Sequence, residues 1–76
     1  MMKAEMNEKQ LGFAVFLIHA LAREWRRPCG WVYRALNDSG LLDDYILAFY
    51  DVLHTQGREY LVEDITGFAR DRGIGV

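Results

Sequence analysis

A chain of 76 residues has room for one domain only, residues 1–76, near the lower limit for a core held without disulfides or metal. With 51% apolar and 13% aromatic residues, it carries more oily surface than so small a volume shelters alone, which predicts contact with another chain. Cys29 is the one cysteine, which excludes an intrachain disulfide and favours a reducing, cytoplasmic setting, and the net charge of −2 argues against a protein that coats nucleic acid.

Asn7 followed by Gln10 has the spacing of a capping box, so a helix is expected from there, over 7–26. Leu11, Val15, Ile18, Ala22 and Trp25 recur at alternating spacings of four and three, with Phe13, Phe16, Leu17, Ala20 and Leu21 filling the flanks. One narrow strip, Glu8, Gly12, His19, Arg23 and Arg26, stays polar or bare. A helix this apolar around its circumference either runs through the middle of the fold or supports a seam with another chain. Pro28, with Cys29 and Gly30, marks the first corner, because proline removes an amide and disfavours helical geometry at Arg27.

Trp31, Val32, Ala35 and Leu36 give a short second helix over 30–38, closed by Asn37-Asp38-Ser39-Gly40 with Gly40 suited to a left-handed cap. Leu42, Tyr45, Ile46, Phe49, Val52 and Leu53 keep helical period, so a third helix is expected over 42–54, with Asp43 and Asp44 in the first turn where the dipole favours negative charge. After Thr55-Gln56-Gly57, the residues Leu61, Ile65, Phe68 and Ala69 argue for a fourth helix over 58–72. Tyr60-Leu61-Val62 also reads as an extended entry to a helix that begins near Glu63, and the final Gly73-Ile74-Gly75-Val76 is expected to fray. The fold class is therefore all-α, a compact bundle of about four helices with a long first and a short second.

The run from Leu11 to Ala22 is too short and too interrupted by His19 for a membrane span, and Glu5 and Glu8 ahead of it do not suit a signal peptide. No membrane association is expected. Charge is divided along the chain: residues 1–37 hold six Lys/Arg against three acids, and residues 38–76 hold three Arg against eight acids. Such a split permits head-to-tail or antiparallel self-association.

Chemistry is thinly signalled. Asp51 and His54, three apart on one helix, have the spacing of a carboxylate that orients an imidazole, but no nucleophile accompanies them, and a histidine in a last helical turn ordinarily serves free carbonyls. His19 and His54 with Asp51 or Cys29 lack any short-range paired ligand motif, so no metal and no cofactor is expected. Cys29 reads as a half-buried side chain beside a helix start, with no evident base nearby. Arg23, Arg26, Arg27 and Arg34 form a basic cluster at the first corner, which invites a helix-turn-helix comparison. The third helix that would lie in a groove carries Asp43, Asp44 and Asp51 and no cation, so nucleic acid is the weaker alternative.

The stretch Phe49-Tyr50-Asp51-Val52-Leu53-His54-Thr55-Gln56-Gly57, continuing through Glu59-Tyr60-Leu61-Val62-Glu63-Asp64-Ile65, resembles a family of very short bacterial proteins. It is number three thousand seven hundred ninety-one in the domain-of-unknown-function series. The similarity covers nearly the whole chain, since that family also opens with a long apolar helix and has a short tyrosine-bearing helix before an aspartate-tyrosine-isoleucine segment, here Tyr33 and Asp44-Tyr45-Ile46. Within the motif, Asp51, His54, Thr55, Gly57 and Asp64 have no assigned role. The chain departs from the pattern at Pro28-Cys29-Gly30, flanked by Arg27 and Trp31, where polar helix-starting residues are usual. The resemblance implies no established activity; it implies gene neighbours similar to ADP-ribosyltransferases, and thus an accessory or antitoxin-like role.

Taken together the residues predict an interaction module, not an enzyme, working as a homodimer or in a complex with another protein. Phe13, Phe16, Leu17, Trp25, Trp31 and Tyr50 are the anchors such a contact would use, because large aromatic and aliphatic groups dominate interface energetics. Core packing is the plainer role of each.

Overall fold

The computed structural model describes residues 7–76; Glu5 and the other positions of 1–6 lie outside the described residues. Helix α1 runs Glu8–Trp25. Its start is the reciprocal box that Asn7 and Gln10 predict: Asn7 Oδ1 accepts the Gln10 N–H at 2.8 Å and Gln10 Oε1 accepts the Asn7 N–H at 3.2 Å, so two amides without helical partners are satisfied. The end has a different cause from the one proline suggests. Arg26 takes left-handed backbone (φ 57°, ψ 48°), and the Arg27 N–H reaches the Ala22 carbonyl at 3.1 Å, a Schellman closure of the kind usually built on glycine. Pro28 stands beyond that closure, at the N-cap of α2, Cys29–Asp38, where its fixed φ and missing amide do no harm.

Gly40 closes α2 in the left-handed region (φ 86°), as the stop signal predicts. Where periodicity predicts one helix over 42–54, the chain forms two pieces, a π-helical segment Leu42–Leu47 and a single turn α3, Tyr50–Leu53. They meet at Phe49, whose backbone (φ −109°, ψ 26°) is not helical. A π turn holds one residue more than an α turn, and with the non-helical backbone that follows it Phe49 leaves its α-helical register. In an unbroken helix Leu42, Ile46, Phe49 and Leu53 would share a face. Here Leu42, Ile46 and Leu53 are buried while Phe49 is 51% and Val52 59% exposed.

Helix α4, Arg58–Asp71, begins at Gly57, so Tyr60-Leu61-Val62 is helical. Gly73 (φ 82°) lets the Ile74 N–H bond the Ala69 carbonyl at 2.9 Å, a second Schellman closure. The chain end beyond it, where fraying is expected, is placed against the core. Ile74 and Val76 pack against the core, Arg27 Nη2 donates to the Gly75 carbonyl at 3.2 Å, and Arg70 Nε donates to the main-chain oxygen of Val76 at 2.9 Å.

The bundle is built around α1, which touches α2, the π-helical segment and α4. Leu17 and Leu21 of α1, Val32 and Leu36 of α2, Leu41 and Ile46 from the chain after Gly40, and Leu61 and Ile65 of α4 are fully buried. The inward row of α1 is Ala14, Leu17, Ala20 and Leu21, whereas Leu11 and Val15 of the most regular apolar row face outward. A helix apolar nearly all round has no contrast from which its pattern can select the buried side.

Candidate functional site

The change of register at the π-helical segment builds an aromatic face. Tyr60, Asp64 and Phe68 stand at successive spacings of four on one flank of α4, so their side chains form a ridge. Tyr45 leans onto that ridge from the π-helical segment, its ring 4.7 Å from Phe68 and 5.7 Å from Phe49, both tilted. Its hydroxyl donates to Asp64 Oδ2. Partial burial, then the hydrogen bond to Asp64, then the nearby Asp64 charge and Tyr60 push the Tyr45 phenol from its ordinary 10.0 up to about 12, so it stays a proton donor throughout the physiological range. Phe68 (39%), Phe49 and Tyr60 remain open to solvent. Glu63, Asp64 and Asp71 surround Phe68 over the bare backbone of Gly67 in a shallow hollow that no Lys or Arg lines. The arrangement offers apolar surface beside negative charge.

The anchors read from sequence fall elsewhere. Leu17 is wholly buried in the core of its own chain, so it cannot be an interface anchor; the dense apolar cover of α1 hid which row turned inward. Phe13 is half-buried and meets Tyr50 edge to face at 5.4 Å. Phe16, 42% exposed, lies 6.4 Å from Phe13 and does present surface. Trp25 donates its indole N–H to Thr66 Oγ1 at 3.0 Å, its ring is T-shaped to Trp31 at 6.4 Å, and the Arg27 guanidinium sits 4.4 Å from the Trp31 ring centre. That stack ties α1, α2, α4 and the chain end together. In the linear sequence Tyr45, Phe49, Tyr60 and Phe68 do not read as one face. The available signal was that all but Phe68 lie within segments that carry the family resemblance.

Of Asp51, His54, Thr55, Gly57 and Asp64, only Asp64 reaches this face. His54 stacks on the Tyr50 ring (4.5 Å, 8° between planes) with Nδ1 2.7 Å from the Tyr50 carbonyl, so Nδ1 carries the proton and donates it to that carbonyl. Asp51 is exposed and does not orient the imidazole. Thr55 Oγ1 donates to the Val52 carbonyl at 2.7 Å, and Gly57 precedes α4 with ordinary extended backbone (φ −71°). These residues close one turn and open the next helix.

The basic cluster divides. Arg23 joins Arg58, Phe16, His19 and Ala20 in one hollow; Arg34 lines another with Trp31 and Ile74; Arg27 is engaged on Trp31 and Gly75; Arg26 is exposed at the corner. Between α2 and α4 the chain offers only a six-residue and a four-residue piece, each shorter than a helix that reads a major groove. Cys29 Sγ lies 3.6 Å from His19 Nδ1, a neighbour that folding of the corner supplies and the linear order conceals. Among the described residues no group of three His, Cys, Asp or Glu converges as a metal would need, and no helix is long and apolar enough to cross a membrane.

Fold and face together define a small all-helical domain that shows an aromatic, acid-rimmed surface to solvent. The chain belongs to the family described as protein of unknown function, DUF3791, whose match covers residues 12–72, from within α1 to just past α4 and including Tyr45 and Asp64. No match is found among curated proteins or among solved structures.

Proposed function

We propose that this protein is a protein–protein interaction module, without cofactor or catalytic role, that docks through the face made by Tyr45, Phe49, Tyr60 and Phe68. The observation that carries this reading is the outward turn of Phe49 at the π-helical break, where it shares the Tyr45 ring with the half-open ring of Phe68. Completing the burial of each such ring is worth about 1 kcal/mol, and interruptions of this helical kind are frequent at functional positions. The same reading accommodates an accessory or antitoxin-like role beside an ADP-ribosyltransferase-like protein, with the partner resting on this face. A DNA-binding regulator draws its support only from the arginines, which the corner separates.

A photo-crosslinking amino acid at Phe49, already exposed, tests the reading in the cells from which the protein comes. A discrete crosslinked species, lost when Phe68 is changed to Glu, is expected. Recovery of unlinked chain alone, from Phe49 and equally from Val52 and Phe16, overturns it. Binding to random duplex DNA at low salt, weakening steeply as salt rises, would favour the regulator instead.

A further inference from the structure

We infer that the partner on this face is a second copy of this chain, docked head to tail through the basic hollow formed by Phe16, Arg23 and Arg58. The inference rests on the interaction-module reading and gives it an occupant. The two surfaces match in kind. On one, Phe68 stands among Glu63, Asp64 and Asp71; on the other, Phe16 stands between Arg23 and Arg58 over Ala20 and His19. Each offers an exposed aromatic ring within a rim of one sign.

Charge disfavours pairing the acidic face with itself. The flank of α4 that carries Asp64 and Phe68 faces the π-helical segment, while the flank that carries Thr66 faces α1 through the Trp25 indole. The acidic and basic surfaces are therefore separate hollows, bridged along α4 by a third that Glu63 and Arg58 both line. A two-fold pairing of the acidic face with itself would bring Glu63, Asp64 and Asp71 of both copies together, and like charges so placed oppose the contact. Docking the acidic face of one copy on the basic face of the next neutralises both. Such a contact uses two different patches, so each copy added leaves one of each free, and association proceeds to a closed ring or an open row.

Charge exchange tests it. Sedimentation velocity across a concentration series compares the unaltered protein with E63R/D71R and with R23E/R58E, circular dichroism having confirmed that each is helical. The unaltered protein is expected to associate reversibly, and to weaken at least about tenfold on raising salt from low to high ionic strength. Each variant alone is expected to be weakened by a similar factor. An equimolar mixture of the two regains association, because every acidic face then meets a basic one. Should a double variant fail to fold, Asp71→Arg and Arg23→Glu supply the same comparison.

An unaltered protein that stays monomeric at every concentration overturns the inference but leaves the interaction-module reading intact if Phe49 still crosslinks to a different protein. Association without rescue on mixing overturns the head-to-tail geometry. Loss of both self-association and every crosslink removes the reading beneath it as well.

Discussion

The hydroxyl of Tyr45 donates to Asp64, a bond between residues nineteen apart that spans from the π-helical segment to α4. The Tyr45 ring sits between Phe49 and Phe68, so this one bond fixes the relative placement of three rings and of the acidic rim. A carboxylate in such a place has a double use. It anchors the phenol and contributes negative charge to the surface that the aromatic rings leave open.

Because the folded-state pKa of Tyr45 is raised above its ordinary 10.0 to about 12, the neutral phenol is favoured by folding. Its contribution to stability is therefore complete below pH 10 and is lost as pH rises through about 12. Phenolate absorbance should show a late step near pH 12 that Tyr45→Phe abolishes. The same variant should lose about 1 kcal/mol in urea unfolding at neutral pH, and its urea midpoint should fall less on moving to alkaline pH than that of the unaltered chain. A late step that survives in Tyr45→Phe would assign the shifted phenol to another tyrosine.

Gly40 and Gly57 both precede helical segments, yet they should respond oppositely to a side chain. Gly40 has φ 86°, and a Cβ there would lie 3.0 Å from Asp44 Oδ2 and 3.3 Å from Arg72 Nη1. Gly40→Ala should therefore cost about 1–2 kcal/mol in denaturant unfolding. Gly57 has φ −71° and open space around its Cα. Gly57→Ser, which adds an N-cap hydroxyl to α4, should be neutral or stabilise by a few tenths of a kcal/mol, about the usual margin between these caps. A large loss at Gly57 would mean that the motif glycine has a steric role in this fold.

The sequence discloses what depends on local chemistry. The Asn7 and Gln10 box, the left-handed Gly40 and the buried pair Val32 and Leu36 all follow from neighbours within a few positions. Two features depend on the whole fold and escape it. An apolar row at spacings of three and four fits Leu42, Ile46, Phe49 and Leu53 equally well whether or not a π turn intervenes, so nothing local announces that Phe49 swings outward. Likewise the choice between the Leu11 row and the Leu17 row of α1 is made by α2 and α4, since both rows are oily. The aromatic face escapes notice for the same reason, because its members gather only after that rotation.

Arg26 holds a left-handed backbone (φ 57°) that a side chain with a Cβ disfavours by about 1–2 kcal/mol relative to the right-handed form. Arg26→Gly removes that strain, and the greater freedom of glycine in the unfolded chain returns part of the gain. The net expectation is a stabilisation of about 0.5–1 kcal/mol by urea unfolding, without change of helix content by circular dichroism. Destabilisation would mean that the exposed Arg26 side chain makes a favourable interaction exceeding the strain.

Phe16 and Leu17 are neighbours in sequence with opposite surroundings, and the distinction between surface and core rests on them. Leu17 is fully buried while Phe16 is 42% exposed. Leu17→Ala should leave a cavity and cost about 2–5 kcal/mol, a large part of the stability of a domain this small. Phe16→Glu gives up only partial contact with Phe13 and should change stability by about 1 kcal/mol or less. Placed beside Arg23 and Arg58, the new carboxylate would also cancel the basic surface, so light scattering should report dispersed, folded monomers. If Phe16→Glu instead unfolds the chain as Leu17→Ala does, the ring is structural, and the basic hollow loses the apolar centre that docking requires.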